Sequence, residues 1–171
     1  GKDAYVQTEF KGISGNKPRT VAFWTKVPKD FNINNGYGMV SWGIMKKGAA
    51  WQISPNSEKK DGLIGRLRIG THHGMVIGST DLRDDKWHHI AIVMYGGENA
   101  KSSTHILMYI DGILERTSKK SVARINTGTN QNDSKPLIFG RNLGFNENHI
   151  NKFFKGSLDE IFIFDTALDE N

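Results

Sequence analysis

The sequence predicts an all-β chain, an antiparallel β-sandwich or barrel with very little helix. Gly, Asn, Asp or Pro recurs at intervals of about ten residues, leaving short strand-like runs between. Those runs alternate apolar with polar residues or are continuously apolar, the two patterns that strands show. No stretch sustains the 3.6-residue apolar stripe of an amphipathic helix over three turns.

Taken in order, strands are expected over 4–10, 19–27, 37–44, 50–54, 63–70, 72–79, 88–95, 105–110, 137–140 and 161–164. In 63–70, Leu63, Gly65, Leu67 and Ile69 point one way and Ile64, Arg66 and Arg68 the other, a half-exposed strand with two arginines on its open face. The runs HIAIVMY and HILMYI are apolar on both faces and belong centrally. Asp111-Gly112 is a tight-hairpin signal, because glycine readily takes the positive φ of such turns. The polar stretches 29–36, 54–62, 96–103 and 118–135 read as loops. At the C-terminal end, Lys155-Gly156 turns the chain into Ser157–Phe164, which is apolar on both faces and expected to be buried on both. Asp159 and Glu160 interrupt that run, and a buried carboxylate needs a partner or an ion.

At 171 residues the chain is read as one domain spanning 1–171, with the look of a module excised from a larger protein. There is no cysteine, so disulfides, zinc–thiolate sites and thiol nucleophiles are all excluded. No apolar stretch approaches the roughly 20 residues of a membrane span, so no membrane insertion is expected. The net charge of +5 is uneven: residues 1–60 hold ten Lys/Arg against four Asp/Glu, and 125–171 hold four against seven. No Lys/Arg run exceeds two residues and no nucleic-acid module signature is present, so no nucleic-acid partner is expected.

Six segments then occur in order: TVAFWTKV, VSWG, STDLRDDKWHHIAIVM, LMYIDGILE, LIFGRN and FFKGSLDEIFIFDTALDEN. Together they resemble the laminin-G-like, concanavalin A-like jelly-roll domain of bacterial secreted and surface proteins, over nearly the whole chain. The resemblance implies two antiparallel sheets packed face to face, paired terminal strands, and a structural calcium ion near the sheet edge. It also implies a module that binds, commonly carbohydrate, and does not catalyse.

The carboxylate pattern agrees with that last point. Related glucanases carry a strand-borne E-x-D-x-E, which this chain lacks. Adjacent strand residues face opposite ways, so Asp159 and Glu160 cannot flank one glycosidic bond. For the same reason His72-His73 and His88-His89, if strand-borne, cannot each supply two ligands to one metal. His88 and His89, in the W-H-H segment, are expected to serve packing and hydrogen bonding. Calcium accepts carboxylate and carbonyl oxygens in flexible geometry, and Asp159 with Asp3 is the expected ligand pair. The acidic 81–85 segment is a weaker alternative, read as a turn.

For sugar recognition, flat aromatic surface and polar groups must coincide. Trp24 and Trp87 lie in the family-like core motifs and are expected to be buried, whereas Trp42 and Trp51 flank the Lys46-Lys47-Gly48 loop. The candidate ligand surface is therefore Trp42, Trp51, Arg66, Arg68, His72 and His73, and its cations suit an anionic glycan. The expected function is a non-catalytic carbohydrate-binding module tethered to other domains of a secreted or cell-surface protein. The alternatives are a protein-interaction or adhesion module, a structural spacer and, last, a lyase or hydrolase.

Overall fold

A computed structural model describes residues 4–32, 38–144 and 153–169. They form two antiparallel sheets around one core, with no helix among the described residues. The strands are β1 (Val6–Gln7), β2 (Arg19–Lys26), β3 (Val40–Gly43), β4 (Ala50–Pro55), β5 (Arg66–Gly70) and β6 (Met75–Asp81). They continue with β7 (Trp87–Met94), β8 (Ile106–Ile110), β9 (Ile113–Leu114), β10 (Thr117–Ser121), β11 (Lys135–Phe139) and β12 (Ser157–Phe164). A seven-stranded sheet runs β1-β11-β3-β4-β5-β6-β10 and a five-stranded sheet runs β12-β2-β7-β8-β9. The predicted sandwich is thus observed, and it is consistent with a jelly roll.

Alternation fills the space between the sheets. Val21 and Phe23 of β2 and Ile90 and Ile92 of β7 meet Trp42, Trp51, Ile53, Leu67 and Ile69 from the larger sheet. Arg19 shares the inward parity of β2 and is fully buried. Its guanidinium lies 4.9 Å from the centre of the Trp51 ring and 5.9 Å from that of Trp42. It donates to the Ile13 and Gly15 carbonyls and to Thr127 Oγ1, each at 2.9 Å. Burial draws its pKa down to about 10, so it stays charged at neutral pH and its charge is spread over carbonyls and two aromatic faces. The Asp111-Gly112 hairpin is observed, with φ of 53° and 77° at its two central residues.

Three expectations are corrected. Residues 118–121, read as loop, belong to the edge strand β10; its exposed Lys119 and Lys120 hide a strand from hydrophobic patterning and also protect a sheet edge. The terminal strands do not pair: β1 joins β11 in one sheet and β12 joins β2 in the other. Finally, β12 is not buried on both faces. It is an edge strand whose Leu158, Ile161 and Ile163 pack on the core while Phe162 and Phe164 stay 56% and 38% exposed. A bulge between Asp159 and Phe162, with Glu160 at φ 46°, leaves both carboxylates in solvent.

Candidate ligand-binding site

Polar groups gather on the outer face of the seven-stranded sheet. Along β4, Trp51 and Ile53 turn inward, leaving Gln52 and Ser54 on the opposite face. Register places Gln52 opposite Gly70 and Ser54 opposite Arg68 on β5. The 56–62 segment folds back over this face, organised by the fully buried Asn56. Asn56 N–H donates to Arg66 O at 2.7 Å, and its Nδ2 donates to the Gly62 and Leu63 carbonyls, each at 3.0 Å. Strands, loop and the β5–β6 turn enclose a cavity of about 170 Å³ whose lining includes Ser54, Asn56, Asp61, Arg68, His72 and His73.

Two features set this cavity apart from an ordinary surface dent. First, Ser54 Oγ and Arg68 Nε are buried there without a protein hydrogen-bond partner. An unmade bond at a buried hydroxyl costs about 1–3 kcal/mol, so each such atom calls for an explanation. Arg68 is otherwise held by its Nη2, which donates to Asp61 Oδ2 at 3.3 Å. Gly70 makes room for it, since a Cβ there would lie 2.9 Å from Arg68 Nη1. Second, the two-residue turn between β5 and β6 is built from His72 and His73, both at positive φ (55° and 65°). Such turns favour Asn-Gly, and non-glycine residues there are strained by about 1 kcal/mol or more each. The strain brings the imidazoles together at the cavity, ring centroids 4.4 Å apart and perpendicular.

Of the six predicted ligand residues, the fold therefore brings Arg68, His72 and His73 to one site. The strand reading of 72–79 is corrected: the strand starts at Met75, and the turn sets the histidines side by side. Arg66 shares the strand face of Arg68 but lies outside the cavity lining, ion-paired with Asp81. Asp81 also accepts from Arg83 at 2.7 Å, and these bonds, Arg83 first, hold its carboxyl far below the usual range. Trp42 and Trp51 are 0% exposed and pack on Arg19, so they present no face to a ligand; Trp24 and Trp87, expected inside, are 37% and 45% exposed. The correction has one cause. Val40-Ser41-Trp42 and Trp51-Gln52-Ile53 put each tryptophan in phase with a core aliphatic, whereas Trp24 is out of phase with Phe23. The same alternation marks Gln52 and Ser54 as outward polar residues of the candidate site, a signal carried by strand parity and not by aromatic content.

The metal expectation has a narrower basis than the sequence offers. Asp159 is exposed and its Oδ1 accepts from Glu160 N–H at 2.9 Å, a hydrogen-bond anchor. Among the described residues no group of three or more His, Cys, Asp or Glu gathers to hold a metal, and Asp3 lies outside them. The 81–85 segment is a turn, with Asp85 at φ 62°. His88 bridges Asp111 Oδ2 at 2.7 Å and Asp84 Oδ1 at 3.2 Å, tying that turn to the β8–β9 hairpin.

The outer face of the five-stranded sheet has a different character. Trp24 meets His89 edge-on at 5.4 Å, Phe162 stacks near Phe164 at 6.3 Å, and Ala22, Ala91 and Tyr109 line a trough beside them.

A family model described as the concanavalin A-like lectin/glucanases superfamily (Laminin_G_3) matches residues 1–171. No curated protein matches the sequence. Among solved structures, a Bacteroides ovatus protein of proposed carbohydrate-binding function superposes with a TM-score of 0.67 at 15% identity, covering 97% of this chain and 42% of its own. The CBM40 of a Ruminococcus gnavus IT-sialidase gives 0.60 at 12% identity, covering 91% and 79%. Domains LG4-5 of the mouse laminin alpha1 chain give 0.55 at 17%, covering 96% and 40%. The chain thus spans less than half the length of the first and last of these; at such identities the likeness is one of fold.

Proposed function

Because the chain belongs to the concanavalin A-like lectin/glucanase superfamily, we propose that it is a non-catalytic carbohydrate-binding module that seats a saccharide in the cavity at His72 and His73. The observation that carries this reading is the pair of unpartnered buried atoms, Ser54 Oγ and Arg68 Nε, at a polar cavity. A sugar hydroxyl both donates and accepts, so a small side-chain rotation that brings either atom to the cavity surface lets it complete the bond. An acidic glycan is the finer form of the reading, because a guanidinium edge matches carboxylate or sulfate oxygens. The fold likeness to a CBM40 and to a protein of proposed carbohydrate-binding function supports a glycan partner. In this reading the module belongs to a secreted or surface protein and keeps neighbouring domains near their glycan, where tethering raises effective concentration.

The exposed aromatic face around Trp24 and Phe162 favours a second reading, a protein-adhesion module of the laminin-G kind. A glycan array run with wild type and Ser54→Ala separates the two. One glycan class should bind wild type reproducibly, and Ser54→Ala should weaken it about tenfold without lowering Tm, since the change removes an unpaired buried hydroxyl. No glycan binding, with a protein partner captured through the Trp24 face, establishes the adhesion reading instead. New reducing ends or unsaturated products released from a polysaccharide would overturn the non-catalytic assignment.

A further inference from the structure

The charges around the cavity nearly cancel when its histidines are neutral. Arg68 is offset by Asp61 at 3.3 Å, and Lys60 by Glu58 at 3.7 Å. An anionic group entering that arrangement meets a guanidinium already engaged by a carboxylate. Additional positive charge inside the lining can come only from the two imidazoles, which stand 4.4 Å apart on a strained turn. We infer that the cavity is a proton-linked subsite for one anionic group of a glycan, a carboxylate or a sulfate ester, with His72 and His73 taking up protons as the anion enters. This rests on the reading of the cavity as a saccharide site.

The surroundings set the direction of the linkage. Glu58 and Asp61 from the 56–62 segment favour protonation; Arg68 from β5 and Lys60 oppose it. The 45–49 turn packs against the pair through Gly48 N–H donating to His72 O at 2.9 Å, and it carries the exposed Lys46 and Lys47. Behind Gly48 lies the backbone carbonyl of Arg124, whose guanidinium is engaged by Glu98 O. With Lys46 and Lys47 included, positive charge outweighs negative. Burial first, and His73 second, hold His72 below the ordinary imidazole range, so it is neutral in the free protein at pH 7. A bound anion reverses the balance and raises the imidazole pKa. By linkage, affinity for the anion then rises as pH falls through the range of these histidines, below about 6.5.

The geometry also explains why His-His occupies a turn better served by Asn-Gly. His72→Asn/His73→Gly should fold, because it installs the residues this turn prefers, and it removes both titrating groups. The test follows the imidazole resonances of the whole chain across pH 5–8 in sodium chloride and in sodium sulfate at matched ionic strength. Sulfate should raise the His72 or His73 titration midpoint by about half a unit or more, while His88, held between Asp84 and Asp111, serves as the internal reference. Binding of galacturonate should strengthen about fivefold between pH 7.5 and 5.5, that of galactose should not change, and the double variant should lose the difference. Titration midpoints identical in the two salts, or a pH dependence that survives in the double variant, overturn the inference. Glycan-array hits without any histidine shift leave the saccharide reading standing and sink only the proton linkage. Histidine shifts without array hits uphold the anion site and count against the saccharide.

Discussion

On the seven-stranded sheet the outward residues of β4 and β5 include Gln52, Ser54, Arg68 and Gly70, which with the 56–62 segment line a small polar cavity. On the five-stranded sheet the outward residues of β2, β7 and β12 are Ala22, Trp24, His89, Ala91, Phe162 and Phe164, an open and largely apolar surface. Both faces are produced by the same two-residue alternation, yet they are suited to different work. The cavity side gathers polar side chains, and Ser54 Oγ and Arg68 Nε beside it are buried without a protein partner. The aromatic face offers contact area with few fixed polar groups, which gives adhesion without much selection. The proposed glycan reading therefore assigns specificity to the polar cavity and not to the exposed aromatic rings.

The contrast depends on the sandwich holding Trp42 and Trp51 inside, where Arg19 packs against both rings. Arg19→Ala removes three 2.9 Å hydrogen bonds and the cation under both rings, and leaves a cavity between the sheets. It should cost about 3 kcal/mol or more, read from denaturant midpoints at unchanged m-value. A loss below about 1 kcal/mol would mean the tryptophans are kept in the core by packing alone.

A middling effect concerns the clamp at the other sheet. Burial lowers the His88 pKa, but hydrogen bonds and charge from Asp111 and Asp84 outweigh it, and the net shift is upward. A raised folded-state pKa contributes stability that is complete below the unfolded value near 6.5 and is lost as pH rises through the folded one. Asp111 is 47% exposed, so solvent screens the pair and the gain is about 0.5 kcal/mol. Wild type should therefore lose roughly that much stability between pH 6 and 8, while His88→Gln should show a flatter profile. Because His88 is remote from the cavity lining, the variant should keep the pH dependence of anion binding, which sharpens the distinction between the two histidine clusters.

The sandwich was legible because turn residues and alternation act locally: Asp111-Gly112 makes its hairpin, and Leu67 and Ile69 go inward while Arg66 and Arg68 do not. The candidate site was legible in part for the same reason, since Arg68, His72 and His73 are near neighbours in the chain. What escaped depends on tertiary placement. Whether Ser157–Phe164 is central or at an edge depends on its partners, and the burial of Ser54 depends on the 56–62 segment folding over it. The tryptophans are a separate case: their phase in VSWG and AWQISP was readable, and proximity to a lysine loop was the poorer guide.

The smallest expected effect on glycan binding is the one that bears most directly on the comparison. Trp24 is 37% exposed on β2, opposite His89 on β7, on the face away from the cavity. Trp24→Ser removes a ring that is mostly covered by its strand neighbours, so it should cost about 1–2 kcal/mol of stability and still leave a folded protein. Glycan-array signals should be unchanged, because none of the cavity-lining groups is touched. If instead Trp24→Ser abolished glycan binding while Ser54→Ala left it intact, the roles of the two faces would be exchanged. The open aromatic sheet would then be the sugar platform, with ring stacking supplying the affinity, and the enclosed polar cavity would be a structural feature of the β4–β5 loop.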